Sequence, residues 1–71
     1  MLLYDVISET HVVALCVYIK QAKSILRAYY EIYSQKPNFS AEMRGWKVWV
    51  SRCGGEPFVI CRIKRSHPVK I

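Results

Sequence analysis

Apolar residues recur at three-and-four spacing from Leu15 to Tyr33, which is the strongest pattern in the chain. This spacing places them on one side of an α-helix. Polar residues such as Lys20 and Glu31 fall on the opposite side, and Pro37 disfavours helix in the residue before it. The pattern therefore predicts an amphipathic helix that ends near residue 35.

The start of this helix is harder to place, because residues 12–17 are apolar on every side and rich in β-branched residues, which also fits a buried strand. No Gly, Pro, Asn or Asp separates this segment from the apolar stripe, whereas Ser8 and Thr10 are good N-cap residues. We therefore favour one helix over about residues 9–35, preceded by a short strand over residues 2–7.

A helix over that range is about 39 Å long, which is longer than a globule of this size is wide. Its N-terminal half then needs extra cover. Val13, Cys16 and Val17 fall outside the main apolar stripe, so they either pack under the N-terminal strand or contact a second subunit. A homodimer through these three residues is the alternative to cover from within the chain.

The hydrophobic period changes from 3.6 to 2 after Gly45. Two strand-like runs, residues 45–52 and 57–64, flank Gly54-Gly55, which is a recognised hairpin signal. We predict a β-hairpin over about residues 45–65. The preceding residues 38–44 are predicted to be a loop with at most one helical turn.

Counting outward from a two-residue Gly54-Gly55 turn predicts the register of this hairpin. One face, predicted to be core, pairs apolar residues: Val50 with Val59, Val48 with Cys61, and Trp46 with Ile63. The other face is aromatic in the middle and basic towards the open end: Ser51 pairs with Phe58, Trp49 with Ile60, and Lys47 with Arg62, and Lys64 lies beyond.

These elements predict an α+β fold in which one long amphipathic helix packs on a small antiparallel sheet, made of the C-terminal hairpin and the N-terminal strand. A chain of 71 residues is long enough for a single domain, residues 1–71. Residues 65–71 continue the run of positive charge as a tail without regular structure.

The formal charge of +6 is concentrated in one part of the chain. Residues 1–42 carry four basic and four acidic side chains, whereas residues 43–71 carry seven Lys and Arg side chains against a single acid, Glu56. Such a local positive potential favours phosphate groups, acidic protein patches or anionic lipids, although it also serves simple solubility.

Candidate chemistry is sparse. Cys16, Cys53 and Cys61 form no close pair with one another or with His11 and His67, so we expect no metal site. Paired carboxylates, hydrolytic triads and phosphate loops are absent from the sequence. We therefore expect no enzyme, no cofactor and no small-molecule substrate.

The odd number of cysteines is not a disulfide framework and indicates a reducing compartment. The longest apolar run, residues 12–19, is shorter than the 18 or more residues that a bilayer requires, and Asp5 lies where a signal peptide needs a basic residue. We expect a cytoplasmic protein without a membrane partner.

The second face of the predicted hairpin is the candidate binding surface. Trp49 and Phe58 are suited to stack on unpaired bases, while Lys47, Arg62 and Lys64 neutralise phosphates. A free two-stranded ribbon also fits the major groove of a duplex.

Other interpretations of the same residues stay open. Trp49, Phe58 and Ile60 are equally suited to the core of a sheet buried on both faces or to an apolar patch for protein contact. A second basic stripe on the helix, Lys20, Lys23 and Arg27, is most simply its solvated side. This stripe would extend the nucleic-acid-binding surface only if it lay on the same side of the molecule as the hairpin face.

The first functional hypothesis is a small basic protein that binds nucleic acid through the following residues: Lys47, Trp49, Phe58, Arg62, Lys64 and Arg65. Small basic chains without family motifs are also typical of viruses and mobile elements. The alternative is therefore an inhibitor or adaptor that docks on an acidic protein surface of a host nucleic-acid or defence machine, with Trp49 as an anchor.

Overall fold

The computed structural model describes residues 2–66, and these form one helix packed on a five-stranded antiparallel sheet. The elements in chain order are β1 (Leu3–Ser8), β2 (His11–Cys16), α1 (Ile19–Ser34), β3 (Phe39–Arg44), β4 (Lys47–Arg52) and β5 (Phe58–Ser66). The strands lie in the order β2-β1-β5-β4-β3, and every neighbouring pair is antiparallel. The α+β class and the helix on an antiparallel sheet are thus confirmed. The first two residues of the predicted tail, Arg65 and Ser66, belong to β5 instead, and residues 67–71 lie outside the described part of the chain.

The predicted long helix is wrong in its first half. Residues 9–16 form a turn and the strand β2, which pairs with β1, and α1 begins only at Ile19. The chain reverses at Glu9, which adopts the left-handed φ of 57° that side chains other than glycine rarely adopt. A tight turn usually carries Gly or Asn at such a position, so a glutamate there does not predict this turn.

Contacts with the far end of the chain hold this turn. The backbone N–H of Glu9 donates to the carbonyl of Ile60 over 3.3 Å, and the Ser8 hydroxyl donates to the same oxygen over 3.1 Å. A strand lies at Leu3–Ser8, close to the predicted residues 2–7, and it pairs with β5 as well as with β2.

Residues 39–44, predicted as a loop, form the edge strand β3. Asn38 starts it with a φ of 66°, which asparagine tolerates better than most residues, and the Asn38 carbonyl accepts the N–H of Cys53 over 2.9 Å. Ala41 and Met43 turn inward towards the helix while their neighbours stay exposed. This alternation with a period of two was visible in the sequence.

The β4–β5 hairpin is confirmed, and its register agrees with the prediction only at the end away from the turn. Lys47 pairs with Arg62 and Val48 with Cys61, as predicted. A β-bulge then shifts the register, so that Trp49 pairs with Val59 rather than with Ile60. Residue 60 is the extra residue of β5, and it is buried instead of lying on the outer face.

The connection between the two strands also differs from the predicted two-residue turn. Residues 53–57 join the strands, and only its first part is a tight turn, in which the Gly55 N–H donates to the Arg52 carbonyl over 2.8 Å. Gly54 takes a φ of 79° at the third position of that turn, where glycine is required. The tight turn is therefore centred on Cys53 and Gly54 rather than on Gly54 and Gly55.

The core lies between α1 and one face of the sheet. Its buried members come from the helix and from four strands: Val6, Cys16, Ala22, Leu26, Val48, Val50, Ile60, Cys61 and Ile63. Cys16 is therefore core within its own chain, which removes it from the predicted dimer contact. Among residues 2–66 no element covers the other side of the sheet, which we call the open face.

Candidate nucleic-acid interface

Strand alternation decides which side chains reach the open face. Val48 and Val50 of β4 point into the core, so Lys47, Trp49 and Ser51 point the other way. Residues directly opposite one another on neighbouring strands share a face, so Arg62 of β5 lies on the open face as well. Four of the six predicted site residues, Lys47, Trp49, Arg62 and Lys64, are brought together in this way.

Lys47 and Arg62 lie directly opposite each other at the centre of the sheet. The adjacent pair is hydrogen-bonded, because the N–H of Ile63 donates to the carbonyl of Trp46 over 2.9 Å. Lys47 and Arg62 therefore form the non-hydrogen-bonded type of pair, in which side chains approach most closely. Two like charges in this arrangement destabilise a sheet unless an anion lies between them.

No acidic side chain within residues 2–66 neutralises this pair. The single ion pair shorter than 4 Å in that part of the chain joins Arg44 to Glu42. Lys64 extends the positive charge two residues along β5, which is about 6.6 Å in a strand. Its cross-strand neighbour, Asp5, accepts a hydrogen bond from the Ser66 hydroxyl over 3.0 Å instead of pairing closely with Lys64.

Trp49 lies next to these cations and is half-buried. The Arg44 guanidinium is 5.2 Å from the centre of its indole ring, and Arg44 Nε is 3.4 Å from Glu42 Oε1. This distance is that of a cation–π contact, so the indole presents a face of its ring to a neighbouring cation.

A shallow depression of about 320 Å³ opens beside the indole. Its polar lining consists of the Glu42 carboxylate and the hydroxyls of Ser40 and Ser51, which lie 2.8 Å from each other. The arrangement combines an aromatic surface with hydrogen-bond acceptors and donors, next to unneutralised cations. These are the groups that contact an unpaired nucleotide.

Two predicted site residues lie elsewhere. Phe58 pairs with the buried Val50 and so belongs to the helix side of the sheet, at its end, where it is 46% exposed. Arg65 pairs with Tyr4, and its guanidinium lies 5.1 Å from the ring centre of Trp46. The bulge explains the first displacement, and alternation along β5 explains the second.

The helical basic stripe does not join the open face. Lys20, Lys23 and Arg27 are exposed on α1, which covers the opposite side of the sheet, where they surround a depression of about 330 Å³ together with Met43. The sheet separates the two basic regions, so they do not form one continuous binding surface.

The residues that sequence reasoning missed are Ser40, Glu42 and Arg44, all from β3. The sequence predicts a loop for this segment. The period-two alternation of residues 39–44 is the signal for a strand that places them beside Trp49. Their pairing with β4 explains why they reach the same face.

The cysteines are free thiols, of which Cys16 and Cys61 are buried and Cys53 is exposed. Burial raises the pKa of the Cys61 thiol to about 11, so this thiol is protonated at neutral pH. Residues 2–66 contain no group of three or more His, Cys, Asp or Glu side chains placed to hold a metal ion.

Comparison of the chain with protein-family models, curated proteins and solved structures found no match. Across the described residues, no helix combines the length and the apolar character needed to span a bilayer. Function has to be inferred from the chemistry of the open face itself.

Proposed function

We propose that the protein binds single-stranded nucleic acid across the open face of its sheet. The observation that carries this proposal is the directly opposed pair of Lys47 and Arg62, which has no neutralising acid within residues 2–66 and lies beside Trp49. A phosphate between the two cations removes their repulsion and gains two charge-assisted hydrogen bonds. Lys64 contacts a neighbouring phosphate of the same strand.

Trp49 supplies the contact with a base. A base in the adjacent depression stacks against the indole, and Ser40, Ser51 and Glu42 present hydrogen-bonding groups to its edge. Stacking on an aromatic side chain contributes about 1–3 kcal/mol per base and tolerates every base, so we expect weak sequence preference.

The topology favours a single strand over a duplex. A β-ribbon that reads the major groove has to enter it with both strands free. Here the β4–β5 hairpin has β3 on one side and β1 on the other, which makes the sheet too wide for the groove. A broad open sheet with an aromatic residue in its middle instead suits an extended strand with unstacked bases.

Fluorescence anisotropy with a labelled single-stranded oligonucleotide and a duplex of equal length tests the proposal. We expect tighter binding of the single strand, with a slope of log affinity against log salt of about −1.4, since each of the two contacted phosphates contributes about −0.7. Lys47→Gln should reduce the magnitude of the slope by about 0.7.

Lys23→Gln is the matched control, because it removes the same charge from the helix side of the molecule. It should leave the slope unchanged. A salt-independent affinity, or equal effects of the two variants, would contradict the proposal.

The second candidate function is docking on an acidic protein surface, as an inhibitor or adaptor. The exposed Phe58 at the end of the sheet favours it, because aromatic anchors dominate protein interfaces and this ring lies away from the cations. Pull-down with and without nuclease separates the two. Partners that survive nuclease treatment and are lost with Phe58→Ala support the protein-docking function.

A further inference from the structure

An acidic side chain, Glu42, lines the depression beside Trp49 and lies next to a basic row of the open face. In that row Arg44 pairs with Lys47, and Lys47 pairs in turn with Arg62. An acid so close to three cations weakens their attraction for phosphate. Glu42 therefore lowers the affinity for a nucleic-acid backbone unless its carboxylate accepts hydrogen bonds from the ligand.

The strand register fixes the position of Glu42 relative to the indole. Glu42 and Trp49 lie directly opposite each other on β3 and β4, and both are on the open face. The next pair on that face, Ser40 with Ser51, lines the depression, whereas Arg44 lies on the other side of the Glu42–Trp49 pair. The depression is therefore bounded by the indole, the carboxylate and two hydroxyls.

The Glu42 carboxylate keeps acceptor capacity for a ligand. Its side chain is 63% exposed, and Arg44 Nε contacts one of its oxygens, Oε1, over 3.4 Å. A carboxylate has two oxygens and about four lone-pair sites, so this contact uses only part of its capacity. The same Arg44 lies 5.2 Å from the centre of the Trp49 ring, which holds the carboxylate next to the indole.

We propose that the depression beside Trp49 binds guanine and that Glu42 selects it over the other bases. This inference rests on the proposed function and names one base within it. The Watson–Crick edge of guanine carries two adjacent donors, N1–H and the 2-amino group, which match the two oxygens of a carboxylate. Adenine and cytosine have an acceptor nitrogen beside their amino group, and thymine and uracil have a carbonyl on each side of N3–H. Each of these bases turns a lone pair towards the carboxylate, so only guanine forms the bidentate pair.

The guanidinium of an arginine from a partner protein carries the same pair of donors. The row of Arg44, Lys47 and Arg62 disfavours that ligand, because it repels a cation and attracts the phosphate of a nucleotide. Lys47 is two residues from Trp49 along β4, which is about 6.6 Å in a strand. A guanine nucleotide satisfies both regions, with its base beside Trp49 and its phosphate near Lys47.

Fluorescence anisotropy with short thymine strands that carry one central guanine, adenine, cytosine or hypoxanthine tests the inference. The guanine strand should bind about fivefold more tightly than the adenine and cytosine strands, which is the low end for a bidentate base contact because Glu42 is largely exposed. Hypoxanthine lacks the 2-amino group, so it should lose most of this gain. The preference acts at one nucleotide and agrees with a weak sequence preference of the strand as a whole.

Glu42→Gln should abolish the guanine preference, because the amide offers one acceptor oxygen in place of two. The same variant should bind the all-thymine strand more tightly than the wild type, since it removes a negative charge near the phosphates. Glu31→Gln is the matched control, because it removes the same charge from an exposed position of α1, and it should change neither quantity. Both substitutions alter exposed side chains, so both variants should remain folded, which circular dichroism checks.

Three outcomes separate the inference from the proposed function. Equal affinity for the four strands, or a guanine preference that survives in Glu42→Gln, would overturn the inference and leave the proposed function intact. Failure to bind every strand would overturn both. A labelled arginine-containing peptide that binds the wild type and not Glu42→Gln would assign the depression to a guanidinium, and this too would overturn the inference.

Discussion

The two edges of the sheet in this protein present opposite surfaces. The β2 edge is apolar and uncharged, whereas the β3 edge carries Glu42 and Arg44 as an ion pair and places them beside Trp49. Both edges have the same backbone groups available for pairing. Charged side chains make an edge unfavourable for strand addition, and β3 carries them whereas β2 does not.

The difference between the two edges also divides the open face into two regions with different chemistry. The β3 end of the open face, with the depression near Trp49 and the cations at its centre, is suited to a polar and anionic ligand. The β2 end presents exposed apolar side chains instead, among them Val12 and Leu15. β1 and β5 lie between the two ends, and their pairing holds both in a single sheet.

The largest expected effect is a loss of stability at alkaline pH that originates at the centre of the sheet. Cys61 lies on β5, fully buried, with a pKa raised from 9.0 to about 11 by desolvation. The unfolded state loses this proton first, so the stability contribution is complete below pH 9 and is lost as the pH rises towards 11. The free energy of unfolding should fall by about 1.4 kcal/mol per pH unit in that range from this group alone.

Urea unfolding at several alkaline pH values measures this slope. Cys61→Ala should remove this part of the slope, and the difference between the two proteins cancels the titration of tyrosines and lysines. Cys53→Ala is the control, because that thiol is exposed. An unchanged slope in Cys61→Ala would show that the centre of the sheet admits water at high pH.

A smaller effect on stability tests the turn at Glu9 that joins β1 to β2. Glu9→Gly should stabilise the protein by about 1 kcal/mol, because glycine adopts the φ of 57° without strain. At the start of a helix over residues 9–35 the same substitution would remove an acidic side chain from the positive end of the helix dipole and destabilise by about 0.3–1 kcal/mol. The sign of the change in thermal unfolding therefore distinguishes the hairpin from the long helix, and Thr10→Gly is the neighbouring control.

The smallest effect concerns the opposed cations of the open face. Lys47→Gln removes the repulsion with Arg62, so we expect the free protein to become more stable by about 0.5 kcal/mol. Its affinity for single-stranded nucleic acid should fall at the same time. Lys23→Gln, on the helix side, should change neither quantity. A loss of stability in Lys47→Gln would show that Lys47 has a structural partner.

Local patterns predicted those parts of the fold whose neighbours in space are also near in sequence. The helix from Ile19 to Ser34, with Ala22 and Leu26 buried, agrees with three-and-four spacing. The pairing of Lys47 with Arg62 agrees with the alternation of β4 and β5. The position of the unneutralised cations beside Trp49 could therefore be predicted from the sequence.

The remaining parts depended on contacts that no local pattern reports. Residues 12–17 are apolar on every side, and this fits a strand and a helix equally well until β1 supplies a partner. The bulge at residue 60 separates the predicted register near Lys47 from a register that is shifted by one residue near the turn. It moved Phe58 away from Trp49, and the strand β3 brought Arg44 to it.

By itself the sequence determined the helix that covers one side of the sheet, the charges of the C-terminal strands and the absence of charge in residues 11–18. Only the tertiary structure decided that these uncharged residues form a free edge and that Lys47 and Arg62 share an uncovered face. The physical reason is that side-chain periodicity is a local property of the chain. Strand order depends instead on pairing between β1 and β5, which come from opposite ends of the sequence.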